Sequence, residues 1–256
     1  MMKHTFIETR TGAGRVVHTA NSAFVARTWF GLNFEECVAG SVKEVKVIRT
    51  YGDSQEPNES AECIALNRGL LEEGRTIFDS FETDGEGEQK GRRMRRFGEG
   101  MRSATQTGAY SGHHVHAGLD WDALGDATVV DIDLPGSYLG LPVQDFAGLE
   151  PQFDATLPAD LKDRVTFQAH DFFKEQPVRG ADVYFMKHIL HDWSDKYFLK
   201  ILRAIVPAMK DGSRIVVMDG VLPPPGTAAL PMERLLTALD LQMVTALNAK
   251  EWSREE

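Results

Sequence analysis

The sequence predicts an α/β fold in which a mainly helical N-terminal region precedes a parallel β-sheet. The 256 residues are 42% hydrophobic and 26% charged, which is typical of a folded globular protein. Residues 1 to about 118 contain helical stretches separated by polar turns. From residue 119 onwards, short β-rich runs alternate with helices, which is the pattern of strand–helix–strand units. We therefore expect two domains, at residues 1–118 and 119–256.

The N-terminal region is predicted from helical periodicity. Its three apolar stretches with this spacing are HTANSAFVARTWF, SVKEVKVIRTYG and AECIALNRGLLEEGRTIFDSF. Thr19, Asn21 or Ser22 can cap the first stretch by accepting hydrogen bonds from free amide groups. The segment TDGEGEQKGRRMRRFGEGMR predicts an acidic, glycine-rich bend that leads into a basic helix.

Four β-rich runs in the C-terminal region predict strands, and a fifth candidate strand ends at Asp145. The four runs are ATVVDID, RVTFQAHDFF, ADVYFMKHIL and SRIVVMDGVL. The segment 195–209 carries apolar residues at helical spacing, so we expect it to pack one face on the sheet until Asp211-Gly212 stops it. A last helix is predicted from Met232 to Asn248.

Charge and cysteine content narrow the class of protein. The net charge is −10 and the pI is about 5.3, which argues against nucleic acid or an anionic membrane as a partner. The two cysteines, Cys37 and Cys63, are too few for a disulfide framework and favour reduced thiols. The N-terminus turns polar before a signal sequence can form, and no run approaches the roughly 18 apolar residues of a membrane span. We expect a cytoplasmic protein with a small-molecule or protein partner.

Acidic side chains and one histidine follow the predicted strands. Ligands of an open parallel sheet collect at the carboxyl ends of its strands. An acid at one strand end often only caps the next helix, but several around one edge favour a ligand with hydroxyls, amines or positive charge. The residues at these positions are Asp131, Asp133, Asp145, Asp171, His191 and Asp219.

His191 is the candidate general base, because it follows a strand and precedes a helix, where an imidazole can face the cleft. An isolated histidine there would more often cap or pack. Asp219 ends the neighbouring strand and Glu251 follows the last helix, so both carboxylates can approach the same ring. Carboxylates that fix the tautomer of an imidazole and raise its pKa suit it to remove a proton from a hydroxyl.

The run ADVYFMKHILHDWSDKYFLKILRAIVPAMKDGSRIVVMDGVLPPPG resembles the small-molecule O-methyltransferases of plant and fungal natural-product pathways, which use S-adenosylmethionine. HTANSAFVA, YGDSQEPNES, RRFGEGMRS and LDWDALGDATVVDID are similar to the same family, so the resemblance covers nearly the whole chain. It implies a Rossmann-like methyltransferase sheet in residues 119–256 and a partial winged-helix dimerisation domain in residues 1–118. AECIALNRGLL and TIFDSF are too apolar for a thin exposed layer, which also favours a homodimer.

The resemblance also implies roles for individual residues. His191 matches the catalytic base of the family, and Asp219 and Glu251 match carboxylates that orient it. The implied cofactor residues are Asp145 for the ribose, Asp171 and Phe172 around the adenine, Lys187 beside the cofactor, and Asp131 and Gly136 at the cofactor loop. An acidic rim suits a cationic sulfonium donor, and His191 would take the proton of the hydroxyl that attacks the methyl group.

The cofactor loop departs from the family pattern. Family members read roughly Asp-Val-Gly-Gly-x-x-Gly after the first strand, followed by a helix and a second strand. Here only nine residues lie between Asp133 and Val143, whereas a crossover takes at least about 10 to 12. We expect a reduced turn at Gly136 and Gly140, an incomplete sheet, and a fraying tail that carries Glu251.

Three functions follow from these patterns. The first is methyl transfer from S-adenosylmethionine to a hydroxyl of an aromatic or polyketide-like secondary metabolite. The second is a non-catalytic scaffold or partner that kept the fold, and the third is an enzyme that uses the same pocket for rearrangement or cyclisation. His113, His114 and His116 lack a nearby fixed acid or cysteine, so no metal is expected.

Overall fold

The computed structural model describes residues 6–8, 16–18, 37–66, 76–104, 113–132, 142–145 and 147–255. Its helices are α1 Val38–Ser41, α2 Glu44–Tyr51, α3 Ala61–Leu66, α4 Ile77–Thr83, α5 Arg92–Ala104, α6 His113–Gly118, α7 Glu150–Thr156, α8 Asp195–Ile205 and α9 Leu230–Leu247. Its strands are β1 Phe6–Glu8, β2 Val16–His18, β3 Val129–Ile132, β4 Val143–Asp145, β5 Phe167–Ala169, β6 Val183–Lys187, β7 Arg214–Met218, β8 Val221–Leu222 and β9 Trp252–Ser253.

A parallel sheet of five strands, in the order β5-β4-β3-β6-β7, forms the centre of the described structure. Every residue of β3 and of β6 is buried. Parallel strands covered on both faces read as continuous apolar runs, which is why the sequence predicted both of them. The predicted α/β fold with a parallel sheet is confirmed. Asp131 pairs with Val143 across β3 and β4, whereas the short connection that includes Gly136 and Gly140 lies outside the described residues.

Helix α8 covers one face of the sheet, as its periodicity predicted. Its buried side chains Tyr197, Ile201 and Ile205 pack in one core cluster with residues of β3 and β6. Burying each such side chain contributes about 1.5–3 kcal/mol. The α-helix ends at Ile205 rather than at residue 209, because Pro207 lies in a 3₁₀ turn that replaces its last residues.

The N-terminal helices build a second core against α9. Cys63, Ile77 and Phe81 are buried in it together with Ala246 and Leu247. The apolar faces of AECIALNRGLL and TIFDSF in the described helices α3 and α4 are therefore covered within the chain, so they do not need a partner subunit. Within the described residues, the predicted single stretch contributes two separate helices. The second begins at a capping box in which the Thr76 amide donates to Asp79 Oδ2 at 2.7 Å.

Further predicted elements differ from the structure. β1 and β2 pair antiparallel in the region predicted to be helical, with Ile7 opposite Val17, and most of HTANSAFVARTWF lies outside the described residues. The run RVTFQAHDFF forms only the three-residue strand β5. SRIVVMDGVL divides into β7 and β8, and the short strand β9 pairs with β8. The tail that carries Glu251 is thus fixed, and the prediction that it frays is wrong.

No helix among the described residues combines the length and apolar character that crossing a bilayer requires.

Candidate active site

Three adjacent strands carry buried charged side chains at or near their carboxyl ends. Asp131 on β3 is 0% exposed, Asp145 on β4 is 4% exposed and Lys187 on β6 is 3% exposed. Burial lowers the pKa of Lys187, and the negative charge of Asp131 partly offsets that effect. The structure therefore brings these three predicted residues to one edge of the sheet, where open α/β folds bind their ligands.

The chain turns sharply after β6, and this turn presents His191. His188 adopts a left-handed backbone with a φ of 54°, and its amide donates to the carbonyl of Met218 at 3.0 Å. Such a conformation is uncommon for a residue other than glycine and is often found at functional sites. A 3₁₀ turn, Leu190–Asp192, then carries His191 to the end of the sheet, with the side chain largely buried.

His191 and Glu251 form a buried hydrogen-bonded pair. His191 Nδ1 lies 3.0 Å from Glu251 Oε1, and His191 Nε2 lies 3.5 Å from Asp192 Oδ1. Burial alone would lower the pKa of His191, but the charges of Asp192, Glu251 and Asp219 and the hydrogen bond to Glu251 raise it to about 9. The carboxylates thus stabilise the imidazolium, and the proton of the neutral ring belongs on Nδ1.

Asp219 lies beside this pair, directly after β7. Burial raises the pKa of Asp219, the charge of His191 lowers it, and the charge of Glu251 raises it further. All three residues of the predicted catalytic group are therefore close enough to interact.

Gly220 is a site residue that the sequence reasoning missed. A Cβ atom at this position would lie 2.9 Å from Glu251 Oε2, closer than a Cβ atom approaches other atoms in proteins. The glycine lets the carboxylate of Glu251, which is 2% exposed, reach the ring of His191. Its only sequence signal is a glycine that directly follows the strand-end acid Asp219.

The two residues predicted to surround the adenine, Asp171 and Phe172, have different environments in the structure. Phe172 is buried and contacts Phe173 and Trp193 edge-on, with ring centroids 4.9 and 5.8 Å away. Asp171 is exposed, and its carboxylate accepts a hydrogen bond from the amide of Phe173. Trp193 follows His191 and Asp192 directly in the sequence.

His188 lies next to His191, with ring centroids 5.5 Å apart. Burial and the neighbouring charges of His191 and Lys187 lower the pKa of His188 to about 3, so this ring stays neutral. Possible metal-ligating atoms of His188, His191 and Asp219 lie within 4.8 Å of one another. The proton that the carboxylates hold on His191 opposes a metal ion there and favours acid–base chemistry. Of the predicted histidine group, His114 is exposed.

Comparison with known proteins shows which proteins this α/β chain is similar to. Residues 143–256 match the O-methyltransferase domain. The chain is 34% identical to O-methyltransferase AMT9 of Alternaria alternata, covering 100% of this chain and 60% of AMT9. It is 32% identical to O-methyltransferase VdtC of Byssochlamys spectabilis, covering 94% of this chain and 58% of VdtC. The chain is thus similar to fungal O-methyltransferases along nearly its whole length, and it spans about 60% of the length of these relatives.

Solved structures confirm the predicted Rossmann-like methyltransferase fold. OxaC superposes with a TM-score of 0.73 at 21% identity, over 100% of this chain and 65% of OxaC. The mitomycin 7-O-methyltransferase MmcR superposes with a TM-score of 0.71 at 23% identity, over 98% of this chain and 70% of MmcR. A structure described as a pericyclic reaction enzyme gives 0.71 at 24% identity, over 98% of this chain and 65% of that protein. This chain therefore spans about two thirds of each fold neighbour.

Proposed function

We propose that the protein transfers a methyl group from S-adenosylmethionine to a hydroxyl of an aromatic or polyketide-like secondary metabolite. The observation that carries this proposal is the buried His191–Glu251 pair, at the sheet edge that also holds Asp131, Asp145 and Lys187. The names of the fungal relatives support methyl transfer over a scaffold role or a rearrangement.

The described residues fit two parts of the methyl donor. The buried carboxylate of Asp145 suits the hydroxyls of a ribose, and the ring of Phe172 offers an apolar face to an adenine. Asp131 and Lys187 provide a paired charge beside them. Asp171 remains a proposed contact at the margin of this site, and Gly136, which lies outside the described residues, remains a proposed contact of the donor. When bound, the donor supplies an electrophilic methyl group on a cationic sulfonium, which buried carboxylates favour.

His191 is proposed as the base that removes the proton of the substrate hydroxyl. Glu251 holds Nδ1, so Nε2 is the nitrogen that receives this proton. Because its pKa is about 9, His191 accepts this proton in its neutral form, which becomes populated as the pH rises towards 9; that pKa is close to the value of about 10 for a phenol, so the transfer is nearly balanced. Asp219 and Asp192 then stabilise the imidazolium that forms.

We propose that residues 1–118 form a dimerisation domain of a cytoplasmic homodimer and that residues 119–256 form the methyltransferase domain. Exposed apolar side chains spaced three or four residues apart in α1, in the turn that follows it and in α2 support the dimer. They are Val38, Val42, Val45 and Ile48, which are 46%, 74%, 61% and 58% exposed. Exposing these apolar side chains to water is unfavourable in free energy, and the association of two copies removes them from water.

The test of the proposed activity uses tritium in the methyl group of S-adenosylmethionine and a panel of hydroxylated aromatic and polyketide acceptors. We expect labelled ether products from the wild type and from the exposed-site control Gln89→Ala, and roughly 100-fold less from His191→Asn, the range that general-base catalysis contributes. Equal labelling by His191→Asn would remove His191 from the mechanism. A wild type that gives no calorimetric signal with S-adenosylhomocysteine would favour the scaffold instead.

A further inference from the structure

The segment Gln55–Glu56, between α2 and the 3₁₀ turn Pro57–Glu59, contacts two distant parts of the chain that both lead to the active site. One is the start of α8, which follows His191. The other is the end of α9, which precedes Glu251. Contacts of this kind join the helical region to both halves of the His191–Glu251 pair.

The start of α8 exchanges two hydrogen bonds with Gln55. Ser194 is the N-cap residue of α8, but its hydroxyl does not cap its own helix. It donates instead to the carbonyl of Gln55 at 2.7 Å, and Gln55 Oε1 accepts from the amide of Lys196 at 2.8 Å. A side chain 141 positions away thus does what the N-cap serine ordinarily does. Ser194 lies three residues after His191.

The end of α9 is held by the same segment. Asn248 is the C-cap of α9 in a left-handed conformation, with a φ of 56°. Its side-chain amide donates to the carbonyl of Glu56 at 3.0 Å. Asn248 lies three residues before Glu251, so this hydrogen bond fixes the chain that leads to the carboxylate.

The side chain of Glu56 strengthens the attachment to α8. It pairs with Lys196 and accepts a hydrogen bond from the hydroxyl of Tyr197 at 2.8 Å. Burial raises the pKa of Glu56, but these two partners outweigh it and lower the pKa overall. The ring of Tyr197 in turn contacts Trp193, with centroids 5.7 Å apart.

We propose that Gln55 and Glu56 are positioning residues of the active site, which hold the segments carrying His191 and Glu251 at the separation where the two side chains meet. His191 and Glu251 are 60 positions apart in sequence, so their 3.0 Å contact depends on how these segments are held. Each segment is fixed by Gln55–Glu56 three residues from the side chain it carries. The effect of this positioning on methyl transfer rests on the proposed function, whereas its effect on the pair itself does not.

The test is a pH titration of the imidazole of His191. It is monitored by NMR in protein that carries ¹³C-labelled histidine, and the signal of His191 is assigned as the one that is absent from His191→Asn. Gln55→Ala removes the cap of α8, and Asn248→Gly removes the second attachment while keeping the left-handed backbone. We expect the titration midpoint of His191 to fall by about one unit in the double variant, because the hydrogen bond to Glu251 loosens. Gln55→Glu keeps the oxygen acceptor and should retain the wild-type midpoint, as should the control Gln89→Ala.

A folded double variant whose His191 titrates as in the wild type would overturn the proposal. If the double variant does not fold, the single variants decide, since each should show a smaller shift in the same direction. A fall in thermal stability without a shift in the midpoint would mean that Gln55–Glu56 only supports the fold. The titration needs neither the methyl donor nor the methyl acceptor. Failure to bind S-adenosylhomocysteine would therefore refute the proposed function without affecting the test of this positioning.

Discussion

Replacing Glu251 with glutamine tests how much the buried carboxylate contributes to the chemistry. Glu251→Gln keeps an oxygen that can accept the Nδ1 proton of His191 at the same position, but it removes the negative charge. The proton that His191 takes from the substrate would then create a cation with one fewer counter-charge. We expect slower methyl transfer with little change in donor affinity.

The magnitude follows from the pKa of His191. Its rise from 6.5 to about 9 corresponds to about 3 kcal/mol of stabilisation of the imidazolium. Glu251 is the carboxylate within hydrogen-bonding distance of Nδ1, and Asp192 and Asp219 act beside it. Removing the charge of Glu251 should cost about half of the total, or about one pKa unit, which is roughly a 10-fold fall in the kcat reached at high pH, where His191 is deprotonated.

The assay measures kcat for tritiated methyl transfer against pH, with Glu255→Gln as the control. Glu255→Gln also removes one negative charge. Because Glu255 is exposed and screened by solvent, its loss should affect the pKa of His191 much less than the loss of Glu251. In Glu251→Gln the rising limb of the profile should move about one unit towards lower pH. An unchanged profile with wild-type kcat would refute the role assigned to the carboxylate.

Three further predictions concern the stability of the fold and the association of two copies. Gly220→Ala should lower the stability by about 1–3 kcal/mol in denaturant titrations, because the added methyl group displaces the Glu251 carboxylate; wild-type stability would contradict the close approach. The raised pKa of His191 stabilises the folded protein fully below pH 6.5, and this contribution is lost as the pH rises through about 9. Calorimetry should therefore show Tm falling across that window, with a smaller fall in Glu251→Gln. Val42→Glu should convert a dimer into a monomer in light scattering, and a wild type that is monomeric at micromolar concentration would exclude the proposed dimer.

The sequence predicted the elements whose side-chain pattern is set locally. The strands β3 and β6 follow from continuous apolar runs, and α8 follows from helical periodicity. The strand-end positions of Asp145 and His191 follow from the same elements, because parallel strands end at one edge of the sheet. These predictions required no knowledge of which distant residues meet.

The features that the sequence did not predict depend on contacts between distant segments. The β1–β2 pair forms between two three-residue strands, which carry too little pattern to be distinguished from a helix. Ser194 is a typical N-cap residue, yet its hydroxyl is used by Gln55, 139 positions away. Gly220 matters only because Glu251 lies against it, and the burial of Glu251 in turn requires the pairing of β8 with β9.

The most direct test of the catalytic site is a crystal structure of the protein with S-adenosylhomocysteine. The proposed mechanism predicts that the ribose lies against Asp145, that the adenine packs against Phe172, and that the sulfur faces the Nε2 side of His191. A ligand bound elsewhere, or an imidazole of His191 turned away from the sulfur into the packed interior, would contradict it.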